Sequence, residues 1–375
     1  MKKILFLFGT RPEAIKMAPL IKTFSSDSNY EVKVGVTAQH REMLDQVLGF
    51  FKISVDYDLN IMKPNQSLYE LSANLILKIT EDILNKEDFD YVFVQGDTST
   101  VLAGALASFY KKIKVVHIEA GLRSFDLYSP FPEEMNRVLT SKIATFHFCP
   151  TQNSALNLKN ENITKNVYVV GNTVIDALFT GIDVIKNSSE NLFLDQYSDI
   201  DFSKKIILVT CHRRENFGKP FEEICDALLE ISNSFENDII IVYPVHLNPN
   251  IKEIAHTKLI GKNIKLIAPL DYPNLIWMMN RSNIILTDSG GIQEEAPSLG
   301  KPVLVLREVT ERMEGVDSGT AILVGSNKEK IVFETNKLLT DPDYYLKISK
   351  ANNPYGDGTT SQKIKDIISA EEHFS

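Results

Sequence analysis

Short runs rich in Val, Ile and Phe alternate with longer amphipathic stretches from the first residues onward. Residues 3–9, 31–37, 91–95, 114–119, 147–149 and 167–171 read as strands, because they are short, nearly continuously apolar and bounded by turn-forming residues. The stretches 13–24, 41–50, 67–85, 98–110, 133–144 and 154–160 repeat their apolar positions at helical spacing. Continuously apolar strands separated by helices must be covered on both faces, which predicts a doubly wound parallel sheet. After a polar stretch at 187–204 the pattern restarts, with strands at 206–210, 239–243, 264–267, 284–287 and 302–306. The fold class expected is therefore α/β, with two Rossmann-like parallel-sheet domains facing a deep cleft.

The division is expected near Gly171-Asn172, with 1–171 as the first domain and 172–358 as the second. Thr173 opens a helix that feeds the second domain. A last helix from 359, after the turn Pro354-Tyr355-Gly356-Asp357-Gly358, is expected to pack back on the first domain. In open α/β sheets ligands sit beyond the carboxyl ends of the strands, so chemistry is sought in the residues that follow each strand.

Length agrees with two domains, since a chain of 375 residues exceeds what one core usually supports. Hydrophobic residues at 43% and charged residues at 24% suit two packed cores. A net charge of −9 with no Lys/Arg block argues against a nucleic-acid partner. The apolar run after Met1-Lys2-Lys3 is too short for a signal peptide, and no stretch is long enough for a membrane span, which predicts a cytoplasmic protein without a membrane partner. Cys149, Cys211 and Cys225 have no metal-like spacing and suit reduced thiols, so neither a disulfide nor a metal site is expected.

Gly9-Thr10-Arg11-Pro12-Glu13 follows the first strand and opens a helix. Gly permits the tight turn, Pro suits the first helical turn, and Arg11 and Lys16 add positive charge for a phosphate. The same residues also read as an ordinary strand-to-helix turn with solvated basic side chains. Asp288-Ser289-Gly290-Gly291 follows another apolar strand, and its backbone N–H groups can approach a diphosphate closely. Glu294 and Glu295 can accept from ribose hydroxyls or simply complement the helix dipole.

Acid–base candidates gather after strands of the first half: Asp97, Glu119, and Glu133 with Arg137 a helical turn later. Asp97 before Thr98 equally fits a helix-capping role. His212 lies in the polar loop His212-Arg213-Arg214-Glu215-Asn216 at a strand end, where it can donate to a leaving phosphate or shuttle a proton. His117 and His246 have no metal-site spacing.

The ordered series Phe8-Gly9-Thr10-Arg11-Pro12-Glu13, Gln95-Gly96-Asp97-Thr98, His117-Ile118-Glu119-Ala120-Gly121-Leu122-Arg123, Pro132-Glu133-Glu134-Met135-Asn136-Arg137, His212-Arg213-Arg214-Glu215-Asn216 and Asp288-Ser289-Gly290-Gly291-Ile292-Gln293-Glu294-Glu295 resembles the UDP-N-acetylglucosamine 2-epimerase family over essentially the whole chain. The resemblance implies a glycosyltransferase-B-like fold, a homodimer, and reversible conversion of UDP-GlcNAc to UDP-ManNAc without hydrolysis, NAD, another cofactor or metal. It assigns proton transfer to Asp97, Glu119 and Glu133, and help with the diphosphate and oxyanion charge to Arg137 and His212. Arg11, Lys16, Ser289, Gly290, Gly291, Glu295 and Arg312 match positions that bind UDP or its sugar. Gln39, His40, Arg213 and His246 match a neighbourhood where some bacterial members bind a second UDP-GlcNAc as activator. Asn65 stands where regulated relatives can carry a basic residue. A hydrolysing epimerase that releases ManNAc and UDP, a glycosyltransferase of the same fold and a silent nucleotide-sugar-binding subunit remain as alternatives.

Overall fold

The computed structural model describes residues 1–37, 41–62, 66–187 and 190–373. Two compact units account for the chain: Met1–Thr180 with Tyr355–Ser375, and Gly181–Pro354. The first holds the strands β1 (Lys2–Phe8), β2 (Tyr30–Val36), β3 (Tyr57–Asp58), β4 (Tyr91–Gln95), β5 (Lys114–Ile118), β6 (Phe146–Cys149) and β7 (Val167–Val169). They form one parallel sheet in the order β3-β2-β1-β4-β5-β6-β7, with Phe8 opposite Val36 and Gln95 opposite Ile118.

Side chains alternate across a strand, so one sheet faces two helical layers. Leu5, Leu7, Val92 and Val94 pack with Leu71, Leu75 and Val101 on one side, where the helices Leu68–Ile79, Ser99–Tyr110 and Glu133–Ile143 lie against one another. Phe6 and Phe93 point the other way and meet Phe24 of the helix Arg11–Ser25, with ring centroids 6.0 and 5.3 Å from Phe24. All three rings are fully buried. The C-terminal helix Thr360–His373 completes this side: Ile364 and Ile368 are buried, Lys365 pairs with Asp27 at 3.2 Å, and Asp176 accepts from the backbone of Thr360 and Ser361.

The second unit contains β8 (Lys205–Thr210), β9 (Ile239–Pro244), β10 (Ile264–Ile267), β11 (Ile284–Thr287), β12 (Val303–Val305) and β13 (Ala321–Leu323). Their order is β10-β9-β8-β11-β12-β13, again all parallel. Ile207, Val209, Ile241 and Tyr243 pack on Phe221, Ile224 and Leu228 of the amphipathic helix Lys219–Ser234.

Two strands are additional to those read from the periodicity, β3 and β13. Both are edge strands of two or three residues, too short to carry a periodic signal. The helix expected over 67–85 is regular only through Leu68–Ile79 and continues as a wider π-turn at Thr80–Leu84. The polar stretch 187–204 carries a short helix, Asn191–Gln196. The contact-based division falls within the helix Thr173–Asn187, whereas the sequence pattern places it just before that helix. Among the described residues, no helix is long and apolar enough to cross a membrane.

Candidate active site

In both sheets the order reverses beside the first strand of the set, between β1 and β4 and between β8 and β11. Crossovers leave in opposite directions there, which opens a crevice beyond the strand ends. At the first switch point β1 runs through Gly9-Thr10 into the helix Arg11–Ser25. A Cβ on Gly9 would sit 2.3 Å from Thr37 Oγ1 and 2.7 Å from Thr100 Oγ1, so only glycine fits the turn. Glu13 folds back over it and accepts from the backbone N–H of Gly9 (3.1 Å) and Thr10 (2.7 Å) and from the Thr98 hydroxyl (2.9 Å). Its burial pushes this carboxyl up to about 7, against the pull of those donors.

Asp97 follows β4 and Glu119 follows β5. Glu119 has φ +63, a left-handed conformation uncommon for a residue with a side chain. It is held there from several sides: Lys16 Nζ lies 2.5 Å from Oε1, Asn172 Nδ2 donates to the same oxygen at 3.0 Å, and Gln95 Nε2 donates to Oε2. Arg137 Nη2 lies 3.0 Å from Asp97 Oδ2, while its Nε lies 3.3 Å from the buried Glu134. Burial pushes the Asp97 carboxyl up to about 6; Arg137 opposes the shift, and the charges of Glu119 and Glu133 add to it. The turn itself is pinned from behind, by Asn136 Nδ2 donating to the Asp97 carbonyl at 2.9 Å and His117 Nε2 donating to the Gly96 carbonyl at 2.8 Å. Burial lowers His117 to about 4, so it is neutral near pH 7. Asp97 is thus poised to gain or lose a proton near neutrality beside a second carboxylate held by a lysine, the arrangement general acid–base chemistry requires.

At the second switch point Thr210 and Thr287 end neighbouring strands in register and share a hydrogen bond of 2.6 Å between their hydroxyls. Beyond them β8 enters His212-Arg213-Arg214, and β11 enters Asp288-Ser289 and the short helix Gly290–Glu295. A methyl built on Gly290 would lie 3.4 Å from the Arg312 guanidinium carbon and 3.7 Å from Arg213 Nη2, so two arginines converge on a turn with no side chain in the way. Arg312 is aimed by Glu294, whose Oε1 accepts from its Nε at 2.8 Å. Tyr272 donates to Glu295 at 3.3 Å. Arg307, 7% exposed, bridges Glu215 and Glu311 and so ties the loop after β8 to the loop after β12. That pairing holds Glu311 down to about 2 against its partial burial. Converging guanidinium groups over a helix-opening turn complement a diphosphate.

The structure gathers Asp97, Glu119, Lys16 and Arg137 at one set of strand ends, with Arg11 at the head of the adjoining helix and Glu133 opening the helix that carries Arg137. It gathers His212, Arg213, Ser289, Gly290, Gly291, Glu295 and Arg312 at the other, with the His246 ring stacked on His212 at 5.9 Å. Gln39, His40 and Asn65 lie outside the described residues. Sequence reasoning quoted Asn172, Gln95, Glu134 and Asp288 only within motifs or at the domain division, gave their side chains no role, and passed over Arg307. For Asp288 a signal existed, since like Asp97 it is a carboxylate closing an apolar strand; the others are recognised only by the partners the fold brings to them. Among the described residues, no group of His, Cys, Asp and Glu is arranged to hold a metal ion.

The family model described as UDP-N-acetylglucosamine 2-epimerase matches residues 22–369. The UDP-N-acetylglucosamine 2-epimerase of Escherichia coli (strain K12) is 53% identical over 371 residues, covering 98% of each chain. The crystal structure of UDP-GlcNAc 2-epimerase from Neisseria meningitidis bound to UDP-GlcNAc superposes with a TM-score of 0.87 at 49% identity, covering 98% of this chain and 99% of that one. The Methanocaldococcus jannaschii UDP-GlcNAc 2-epimerase in complex with UDP-GlcNAc and UDP gives a TM-score of 0.77 at 36% identity, with coverage of 98% and 99%.

Proposed function

The chain belongs to the UDP-N-acetylglucosamine 2-epimerase family, and from that premise we propose that it interconverts UDP-GlcNAc and UDP-ManNAc without releasing the sugar. The observation that carries the reading is the pair of contacts Asp97–Arg137 and Glu119–Lys16 at adjacent strand ends, where one carboxyl titrates near neutrality and the other is held by a cation. The relatives from Neisseria meningitidis and Methanocaldococcus jannaschii hold UDP-GlcNAc, which supports the same ligand here.

The hydrogen on C2 of the sugar is not acidic, so its direct removal and return is implausible. Departure of UDP from C1 together with loss of the C2 proton gives 2-acetamidoglucal and UDP. Return of UDP to C1 and of a proton to the opposite face of C2 gives the epimer, with atoms balanced and no redox step. Asp97, Glu119 and Glu133 are the proton-transfer groups in this scheme. Arg137 and His212 meet the charge that develops on the departing diphosphate. Arg11, Lys16, Ser289, Gly290, Gly291, Glu295 and Arg312 bind the nucleotide and sugar, while Arg213 and His246, with Gln39 and His40, belong to a second nucleotide-sugar site. A homodimer in the cytoplasm is part of the same reading; light scattering is expected to give twice the chain mass, and a mass of one chain would remove the dimer from it.

Proton NMR of the purified protein with UDP-GlcNAc in deuterated water tests the reaction. UDP-ManNAc carrying deuterium at C2 is the expected product. Accumulating free ManNAc with UDP would replace the reading with the hydrolysing one, and unchanged substrate would return the chain to glycosyl transfer or silent binding.

A further inference from the structure

Asp288 is fully buried and follows β11 directly. Its Oδ2 accepts from the backbone N–H of His212 and of Arg213, both at 2.8 Å, and from Asn216 Nδ2 at 3.1 Å. Its Oδ1 accepts no hydrogen bond from the described residues, although His212 Nδ1 lies only 3.2 Å away. A buried carboxylate oxygen without a donor keeps the cost of its lost hydration, so such an atom calls for a partner. The turn that carries His212 is already fixed to the same carboxylate by two backbone bonds, which keeps the ring nitrogen within hydrogen-bonding reach of the oxygen that lacks a donor. Burial lowers the imidazole from its ordinary value, and three groups act on it besides: Asp288 favours the charged form, while the stacked His246 ring and the Arg213 charge oppose it. The Cys211 thiol is pushed well up by burial, by the Asp288 charge and by its own hydrogen bond to that carboxylate, so it stays neutral and adds a weak donor there.

We propose that Asp288 is a positioning residue for His212: its Oδ1 accepts the Nδ1 proton, which leaves Nε2 as the ring atom presented to the substrate. The proposal rests on the role given to His212 above. With Nδ1–H held, Nε2 takes up the proton that it donates toward the departing diphosphate, and the ring cannot settle in the opposite tautomer. In Asp288→Asn the side-chain oxygen must still face three N–H donors, so the amide NH2 faces His212 Nδ1 and forces that tautomer to reverse.

Nitrogen NMR of the full chain labelled with 15N-histidine reads this without turnover, with His212→Asn assigning the resonances. Neutral His212 should carry its proton on Nδ1 in the wild type and on Nε2 in Asp288→Asn. A wild-type His212 protonated on Nε2 overturns the proposal, even if the variant fails to fold. In kinetics, Asp288→Asn should lower kcat about ten- to a hundredfold while KM for UDP-GlcNAc changes less than about twofold. If His212→Asn is slow and Asp288→Asn is not, the positioning role falls and the reading of His212 stands. If His212→Asn turns over like the wild type, that reading falls and the proposal with it.

Discussion

The two switch points share a strand order and treat their strand-end carboxylates in opposite ways. After β4 and β5, Asp97 and Glu119 find their partners among side chains, Arg137 and Lys16, and the Asp97 side chain keeps 28% of its exposure. After β11, Asp288 is fully buried and is met mainly by backbone N–H groups. A carboxylate paired with side-chain cations and still partly open can exchange protons with a ligand, whereas one bound by backbone donors fixes a turn. The same scaffold therefore supplies titratable groups in one unit and a shaped anion-complementary turn in the other.

Asp97→Asn breaks the first half of this comparison most directly. It should lower kcat by about 10²- to 10⁴-fold while UDP binding, measured by calorimetry, is retained, as expected of a proton-transfer group. Retained turnover would remove Asp97 from the proton-transfer groups; the cap of the next helix is Thr98, whose hydroxyl accepts from Val101 N–H.

Acid stability separates the units next. His117 and His147 lie side by side on β5 and β6 beneath the first site, each with Nδ1 unpartnered among the described residues and each lowered from 6.5 to about 4 by burial. The unfolded chain binds these protons first, so the histidines' contribution to stability is full above pH 6.5 and is lost as pH drops toward 4. For one such histidine the loss is on the order of 3 kcal/mol. The raised carboxyls of Glu13 and Asp97 act with the opposite sign over the same range, so the readout is the difference between chains: urea unfolding at pH 7 and pH 4.5 should show a smaller acid loss in His147→Leu than in the wild type, and the same pH dependence in both would contradict a buried neutral His147.

Arg312→Met tests the second unit. Loss of a charge-assisted contact of about 1.5–3 kcal/mol should raise KM for UDP-GlcNAc about ten- to a hundredfold with a smaller effect on kcat. A fall in kcat alone would move Arg312 from binding to chemistry. The smallest effect is expected from Thr98→Val, which removes a hydroxyl that accepts from Val101 N–H and donates to Glu13. Thermal unfolding should show a loss of about 1 kcal/mol, and a loss of turnover comparable to Asp97→Asn would tie Glu13 to the chemistry.

The alternation of apolar runs with helical stretches was sufficient for the parallel-sheet class, because a strand buried on both faces announces itself in consecutive residues such as Ile4-Leu5-Phe6-Leu7-Phe8. The same local signal was too weak for β3 and β13, whose two or three residues give no period. Candidate site positions were legible where a strand end and a polar turn coincide, as at Asp97, Glu119, His212 and Ser289. They were not legible where a side chain acts through a distant partner. Asn172 reaches Glu119 across 53 positions, and Asn216 reaches Asp288 across 72.

By itself the chain's sequence determined the longer strands and helices, the two-sheet class and the chemical types available at each strand end, since these depend on neighbours a few residues apart. Only the tertiary structure decided which charges meet. Lys16 and Glu119 stand 103 positions apart and touch because β1 and β5 flank β4 in one sheet. Burial then decided which carboxyl titrates and which anchors a turn, because the cost of a charge depends on the water and donors around it and not on its place in the chain.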